Sequence, residues 1–200
     1  MTVIDLPVDR PQGLNEEAGN RLARALADPD ARVRHAAAGA LIDEREVLIG
    51  EEGVRALAEA ETASADPYVR AVAAELVRAM RAAAWEIYSG ALSRKDAARA
   101  ETVRGLAVLR AAAELGEIAL TDPAWQVRER ATTALGNLDS RSAIGPLTSV
   151  LDDEIVAVRR AAVRALSTWA ADRHYARAAL MNALGDPDAG VRTEARWALA

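Results

Sequence analysis

A short motif recurs five times in this chain: Asp-Pro (Asp-Asp in the fourth copy), a brief spacer, Val-Arg, then an alanine-rich run closing on leucine or, in the second copy, Leu-Val. The copies are Asp28-Pro29…Val33-Arg34, Asp66-Pro67…Val69-Arg70, Asp122-Pro123…Val127-Arg128, Asp152-Asp153…Val158-Arg159 and Asp186-Pro187…Val191-Arg192. Successive valines are 36, 58, 31 and 33 residues apart, a period that marks stacked supersecondary units, each too small to bury its own apolar face.

Each copy reads as a helix with its start signal attached. The Asp carboxylate can accept from a free N–H of the first turn, and proline, which has no N–H to lose, suits the first helical position. Behind the valine, apolar residues return at helical spacing: Val33, Ala37, Ala40, Leu41; Val69, Ala73, Leu76, Val77; Val127, Ala131, Ala134, Leu135; Val158, Ala162, Ala165, Leu166; Val191, Ala195, Ala198, Leu199. Alanine at half of these positions lets a neighbouring axis approach closely.

Second helices lie between the copies. One opens at Asn15-Glu16-Glu17 and carries Leu22 and Leu26. Another holds Val47, Leu48, Val54 and Leu57. A third, capped by Ser140, carries Ile144, Leu147, Val150 and Leu151, and the last carries Tyr175, Ala179, Leu180 and Leu184. The unit is therefore helix, turn, helix.

Asp-Pro-x-x-x-Val-Arg-x-x-Ala-x-x-Ala-Leu resembles the HEAT repeat, in particular the short bacterial HEAT-like or phycobilisome-lyase-type form, over most of residues 15 to 200. The resemblance implies an all-α, right-handed α-α superhelix (an armadillo-type solenoid) of about five helix pairs. It also implies that the motif's Asp and Arg tie adjacent repeats together, which gives Arg34, Arg70, Arg128, Arg159 and Arg192 a structural role. Composition agrees: at 51% hydrophobic, rich in alanine and without phenylalanine, the chain can fill a long thin core but not a thick one. The expectation is one solenoid domain over residues 1–200. Within it, residues 1–14, with Val3, Ile4, Leu6 and Val8, form an extended N-terminal cap.

The 58-residue interval breaks the period. Two readings of residues 81–120 stay open. One is a long hairpin, with helices from about Pro67 to Tyr88 and from about Asp96 to Leu120, broken at Ser89-Gly90 and started by the Ser93/Asp96 pair. The other is a degenerate repeat around Asp96…Val103-Arg104, with Gly116 as the only break signal before Leu120.

Function is less legible. The absence of cysteine excludes disulfides and thiolate metal sites, and no phosphate-loop or dinucleotide motif occurs, so no cofactor is expected. The hydroxylase branch of HEAT-like enzymes needs repeated His-Glu pairs, whereas His35 and His174 are the only histidines and neither precedes Glu. A glycosylase-like nucleic-acid enzyme is the alternative from another class, and a net charge of −5 argues against duplex binding. A lyase or chaperone-like accessory subunit is a further one. With no export signal and no long apolar run, the default compartment is the cytoplasm, without membrane contact.

The leading expectation is a non-catalytic interaction module. Positions two, five, six and nine after each valine should face a groove. They place Glu75 and Arg78, then Glu129, then Arg160 and Arg164, then Arg196 and Trp197 on that surface, with the arginines suited to an acidic peptide or protein. Trp125, a large aromatic in a first turn, is a further partner-binding candidate. Trp197-Ala198-Leu199-Ala200 lies inside the last motif, so end-to-end homo-oligomerisation through the last repeat is also expected.

Overall fold

The computed structural model describes residues 16–43, 48–92, 96–138, 140–169 and 174–200. The expected N-terminal cap (1–14), Asn15, Val47 and Ser93 lie outside these. Among the described residues there are eleven α-helices, one 3-10 turn and no strands, so the fold is all-α. The chain divides into two compact units, Met1–Ala79 and Met80–Ala200.

In the first unit, α1 (Glu16–Ala25) packs against α2 (Ala31–Asp43) and α3 (Glu51–Ala63), and α4 (Pro67–Gly90) begins. Asn20 of α1 heads α3: its Oδ1 accepts from Gly50 N at 2.9 Å and Gly53 N at 3.1 Å, two N–H groups that a helix start leaves open. Gly53 is required by that approach, because a Cβ there would stand 2.5 Å from Asn20 Oδ1.

The second unit holds the end of α4, then α5 (Asp96–Val108), α6 (Ala112–Thr121), α7 (Trp125–Gly136), a 3-10 turn (Arg141–Ala143), α8 (Ile144–Val150), α9 (Val156–Ser167), α10 (His174–Ala183) and α11 (Ala189–Leu199). Helices α5, α7, α9 and α11 pack side by side in one row and α6, α8 and α10 in another, each helix touching its counterparts across the layer. Leu106, Leu115, Ile118, Leu135, Leu147, Leu166 and Leu180 are buried between the two rows.

The start signals work differently from the simple cap. Asp28, Asp122, Asp153 and Asp186 each accept from the backbone N–H two residues on, at 2.8 Å, forming an Asx turn ahead of the helix. Pro29, Pro123 and Pro187 therefore sit in the turn rather than at the first helical position, which only Pro67 occupies. In the fourth copy the turn aspartate is Asp153, six residues before its arginine, and Asp152 is exposed.

Three stripe positions depart from expectation. Val33 is 41% exposed, whereas the matching valines Val69, Val127, Val158 and Val191 are at most 1% exposed. Leu48 and Tyr175 are also on the surface.

A continuous helix from Asp96 to Leu120 does not form. The chain leaves α5 at Arg110, which adopts φ 52°, while Ala111 N donates to Leu106 O at 3.0 Å in the manner of a helix C-cap normally made by glycine. Arg81 Nε and Nη2 donate to Leu109 O at 3.0 and 2.8 Å, satisfying a terminal carbonyl. Gly116 is no break: it lies within α6, where a Cβ would stand 2.9 Å from Pro146 Cγ.

Candidate functional site

The Val-Arg arginines form a repeated clasp. Arg128 Nη1 donates to Asp122 O at 2.9 Å behind it, and its Nε and Nη2 donate to the Asp153 carboxylate at 2.7 and 3.1 Å ahead of it. Arg159 repeats this with Asp153 O at 2.8 Å and the Asp186 carboxylate at 2.8 and 3.1 Å. In the first unit, Arg34 Nη1 donates to Asp28 O at 2.8 Å and its Nη2 to Asp66 Oδ2 at 3.3 Å. Each arginine thus ties its own turn to the next.

The hydrogen bonds to Asp153 and Asp186 raise the Arg128 and Arg159 pKa values, burial opposing. Burial would raise the Asp186 carboxyl, but Arg159 and the Asp188 N–H more than offset it and hold that carboxyl below its usual range. Two arginines lack the forward contact: Arg70 donates to Ser64 O and Arg192 to Asp186 O and Pro187 O, and among the described residues neither reaches a carboxylate.

Sequence pattern missed the rung in the irregular interval. Arg104, the Val-Arg residue there, points to solvent with Glu101, and the buried clasp is made by Arg99, five residues earlier. Arg99 meets Asp122, and Tyr88 Oη donates to the same carboxylate at 2.9 Å; burial and that carboxylate push the phenol well above its ordinary value.

The anticipated arginine patch is partly neutralised. Arg160 Nε and Nη2 of α9 donate to Glu194 Oε1 of α11 at 2.9 and 2.5 Å, and Arg164 Nη1 reaches the same oxygen at 3.4 Å. Glu194 Oε2 is buried and, among the described residues, has no hydrogen-bond partner. The pattern placed no weight on Glu194, three residues after its valine.

Trp197 is 74% exposed at the α11 position that matches Arg164 on α9. Arg196 is exposed too, but its register differs from a groove position: the fifth residue after the valine is buried on α7 (Thr132) and α9 (Val163), where another helix of the row follows. Trp125 opens α7, 38% exposed, and Glu129 on the same helix is half-buried. Glu75 and Arg78 are exposed on α4 in the first unit. Of the other tryptophans, Trp85 is half-buried against Tyr88 and Trp169 is buried.

His35 Nε2 lies 2.9 Å from Asp66 Oδ2, edge-on to Tyr68. Between α8 and α10 an open groove of about 740 Å³ is lined by Arg141, Ile144, Thr148, His174, Tyr175 and Asn182. Among the described residues no group of three His, Cys, Asp or Glu side chains is placed to hold a metal ion, and no helix is long and apolar enough to cross a membrane.

Two rows of paired helices, tied turn to turn by arginine–aspartate clasps, define an all-α helical-repeat protein. Residues 112–200 match the family model described as HEAT repeats. No curated protein sequence matches the chain. Several solved structures share the fold, among them the following two. The complex of CpcE and CpcF of phycocyanin lyase from Nostoc sp. PCC7120 has a TM-score of 0.50 and 24% identity, covering 74% of this chain and 98% of that one. Human deoxyhypusine hydroxylase in complex with glycerol has a TM-score of 0.51 and 22% identity, covering 92% of this chain and 73% of that one.

Proposed function

We propose that the protein is a non-catalytic interaction module that captures a protein or acidic peptide on the α9–α11 surface. The carrying observation is Trp197, 74% exposed on the helix that packs beside the Arg160 and Arg164 guanidiniums. An exposed indole supplies rigid apolar area, and arginines that share one carboxylate retain donors for a second. Glu194 orients those arginines. The two-chain CpcE–CpcF complex of phycocyanin lyase fits the alternative of a lyase-type accessory subunit.

The test is titration of a labelled oligoglutamate peptide into the 200-residue chain, followed by anisotropy at low and moderate salt. Binding should weaken with salt and fall at least about tenfold in the Arg160→Ala/Arg164→Ala/Trp197→Ala variant, with circular dichroism confirming that the variant is folded at the titration temperature. Equal binding by that variant, or tighter binding of duplex DNA than of the peptide, would overturn the reading. A second reading, end-to-end association of copies through α11, is favoured by Arg196, exposed where α7 and α9 bury the matching residue against the next helix.

A further inference from the structure

We propose that the α11 end of one copy receives the Asp28 turn of a second copy, with the Asp28 carboxylate seated in the Arg192 guanidinium. This rests on the end-to-end reading and assigns its two halves.

The clasp has an inner and an outer half. The inner half, Nη1 on the carbonyl of the preceding turn, is complete in Arg192, with Asp186 O at 2.6 Å and Pro187 O at 2.8 Å. The outer half, Nε and Nη2 on a carboxylate, is filled at Arg128 and Arg159, but among the described residues no acceptor stands before Arg192. One turn on, at the same face of α11, Arg196 adds a second cation.

The complementary defect is at Asp28. Its Oδ1 accepts from Asp30 N at 2.8 Å and its carbonyl accepts from Arg34, so its turn is built like those of Asp122, Asp153 and Asp186. Those three carboxylates each receive a guanidinium, and among the described residues Asp28 receives none. Asp30 adds an exposed carboxylate beside the half-buried Asp28.

Apolar exposure points to the same face. Val33, on the helix that Asp28 heads, is 41% exposed, and the equivalent valines of the other four copies are at most 1% exposed. A second copy brings what the internal rungs use: an Asx-turn carboxylate for Arg192, a further acid for Arg196 and a neighbour for Val33. The contact joins different surfaces of the two copies, so assembly continues beyond a dimer unless it closes.

Sedimentation velocity of the 200-residue chain over a concentration series tests this, with circular dichroism confirming that each variant is folded. The wild type should form species beyond the dimer as concentration rises. Asp28→Asn keeps the turn acceptor and removes the charge, and should weaken association by about tenfold or more. Arg192→Glu should do the same alone. Mixed with Asp28→Arg, it should regain association, because the reversed pair and the native pair then both form. Arg70→Glu, altering the other Val-Arg guanidinium that reaches no carboxylate among the described residues, should leave association intact.

A wild-type chain that stays monomeric overturns both the end-to-end reading and the clasp. Association that persists in Asp28→Asn and Arg192→Glu, or that is lost with Arg70→Glu instead, overturns the clasp alone.

Discussion

Arg99 and Asp122 form a bidentate ion pair, Nε to Oδ2 at 2.8 Å and Nη2 to Oδ1 at 3.2 Å, with 3% and 0% of the two side chains exposed. Arg99 also donates to Asp96 Oδ1 at 2.8 Å and to Ala91 O at 3.3 Å, so its charge is satisfied from three sides. It continues the arginine–aspartate clasp into a segment where the Val-Arg motif itself is displaced.

Arg99→Ala should therefore destabilise the second unit by about 3–5 kcal/mol, because it leaves the Asp122 carboxylate buried with only the Tyr88 hydroxyl and a backbone N–H. Arg104→Ala removes only a solvent-exposed pair with Glu101 and should change stability by less than about 1 kcal/mol. Urea unfolding of the two variants separates the cases. Equal losses would mean that Arg104 carries the rung.

Acid should loosen the second unit through Asp186. Burial raises that carboxyl and the Arg159 pair lowers it further, so its folded pKa lies below the ordinary 3.8. The stabilisation is fully present above that ordinary value and is lost as pH falls through the depressed one. Thermal melts should fall below about pH 4, and Asp186→Asn, less stable at neutral pH, should show a shallower decline. A parallel decline in both proteins would place the acid sensitivity elsewhere.

Gly136 marks how closely α7 and α9 approach. A Cβ there would stand 2.5 Å from Ala165 Cβ and 2.9 Å from Ala165 Cα, and the backbone cannot step aside without separating the helices. Gly136→Ala should cost about 1–3 kcal/mol. Gly105, inside α5, has nothing within 4 Å of the same position, and Gly105→Ala should gain about 0.5–1 kcal/mol from helix propensity. Opposite signs in urea midpoints are the expected result.

Where local chemistry repeats, the structure was legible from sequence. The valine spacing marked α2, α4, α7, α9 and α11, and the resemblance to HEAT repeats assigned Arg34, Arg128 and Arg159 to inter-repeat ties that the structure contains. Where one residue stands in for another, it was not. Arg110 takes a left-handed conformation usually signalled by glycine, so the end of α5 had no marker. Arg99 replaces Arg104 because burial next to Asp122, a tertiary fact, selects the arginine.

The arginine surface was half legible. Helical register brought Arg160 and Arg164 to one face, but Glu194 meets them from a neighbouring helix, and cross-helix pairing leaves no spacing signature. Exposure at Val33 departs from the pattern for a related reason. One periodic pattern describes every copy, yet what covers a position depends on which helix stands next to it.

Tyr88 and Arg99 converge on one oxygen, Asp122 Oδ2, at 2.9 and 2.8 Å, and this makes their energies interdependent. Tyr88→Phe removes one donor from a carboxylate still paired with Arg99 and should cost about 1–2 kcal/mol. Arg99→Gln removes the charge and should cost more. In the double variant the carboxylate retains, among the described residues, only the Ala124 N–H, so the combined loss should exceed the sum of the single losses by about 1 kcal/mol. Strict additivity at neutral pH would show that the two donors act on Asp122 independently despite sharing an atom.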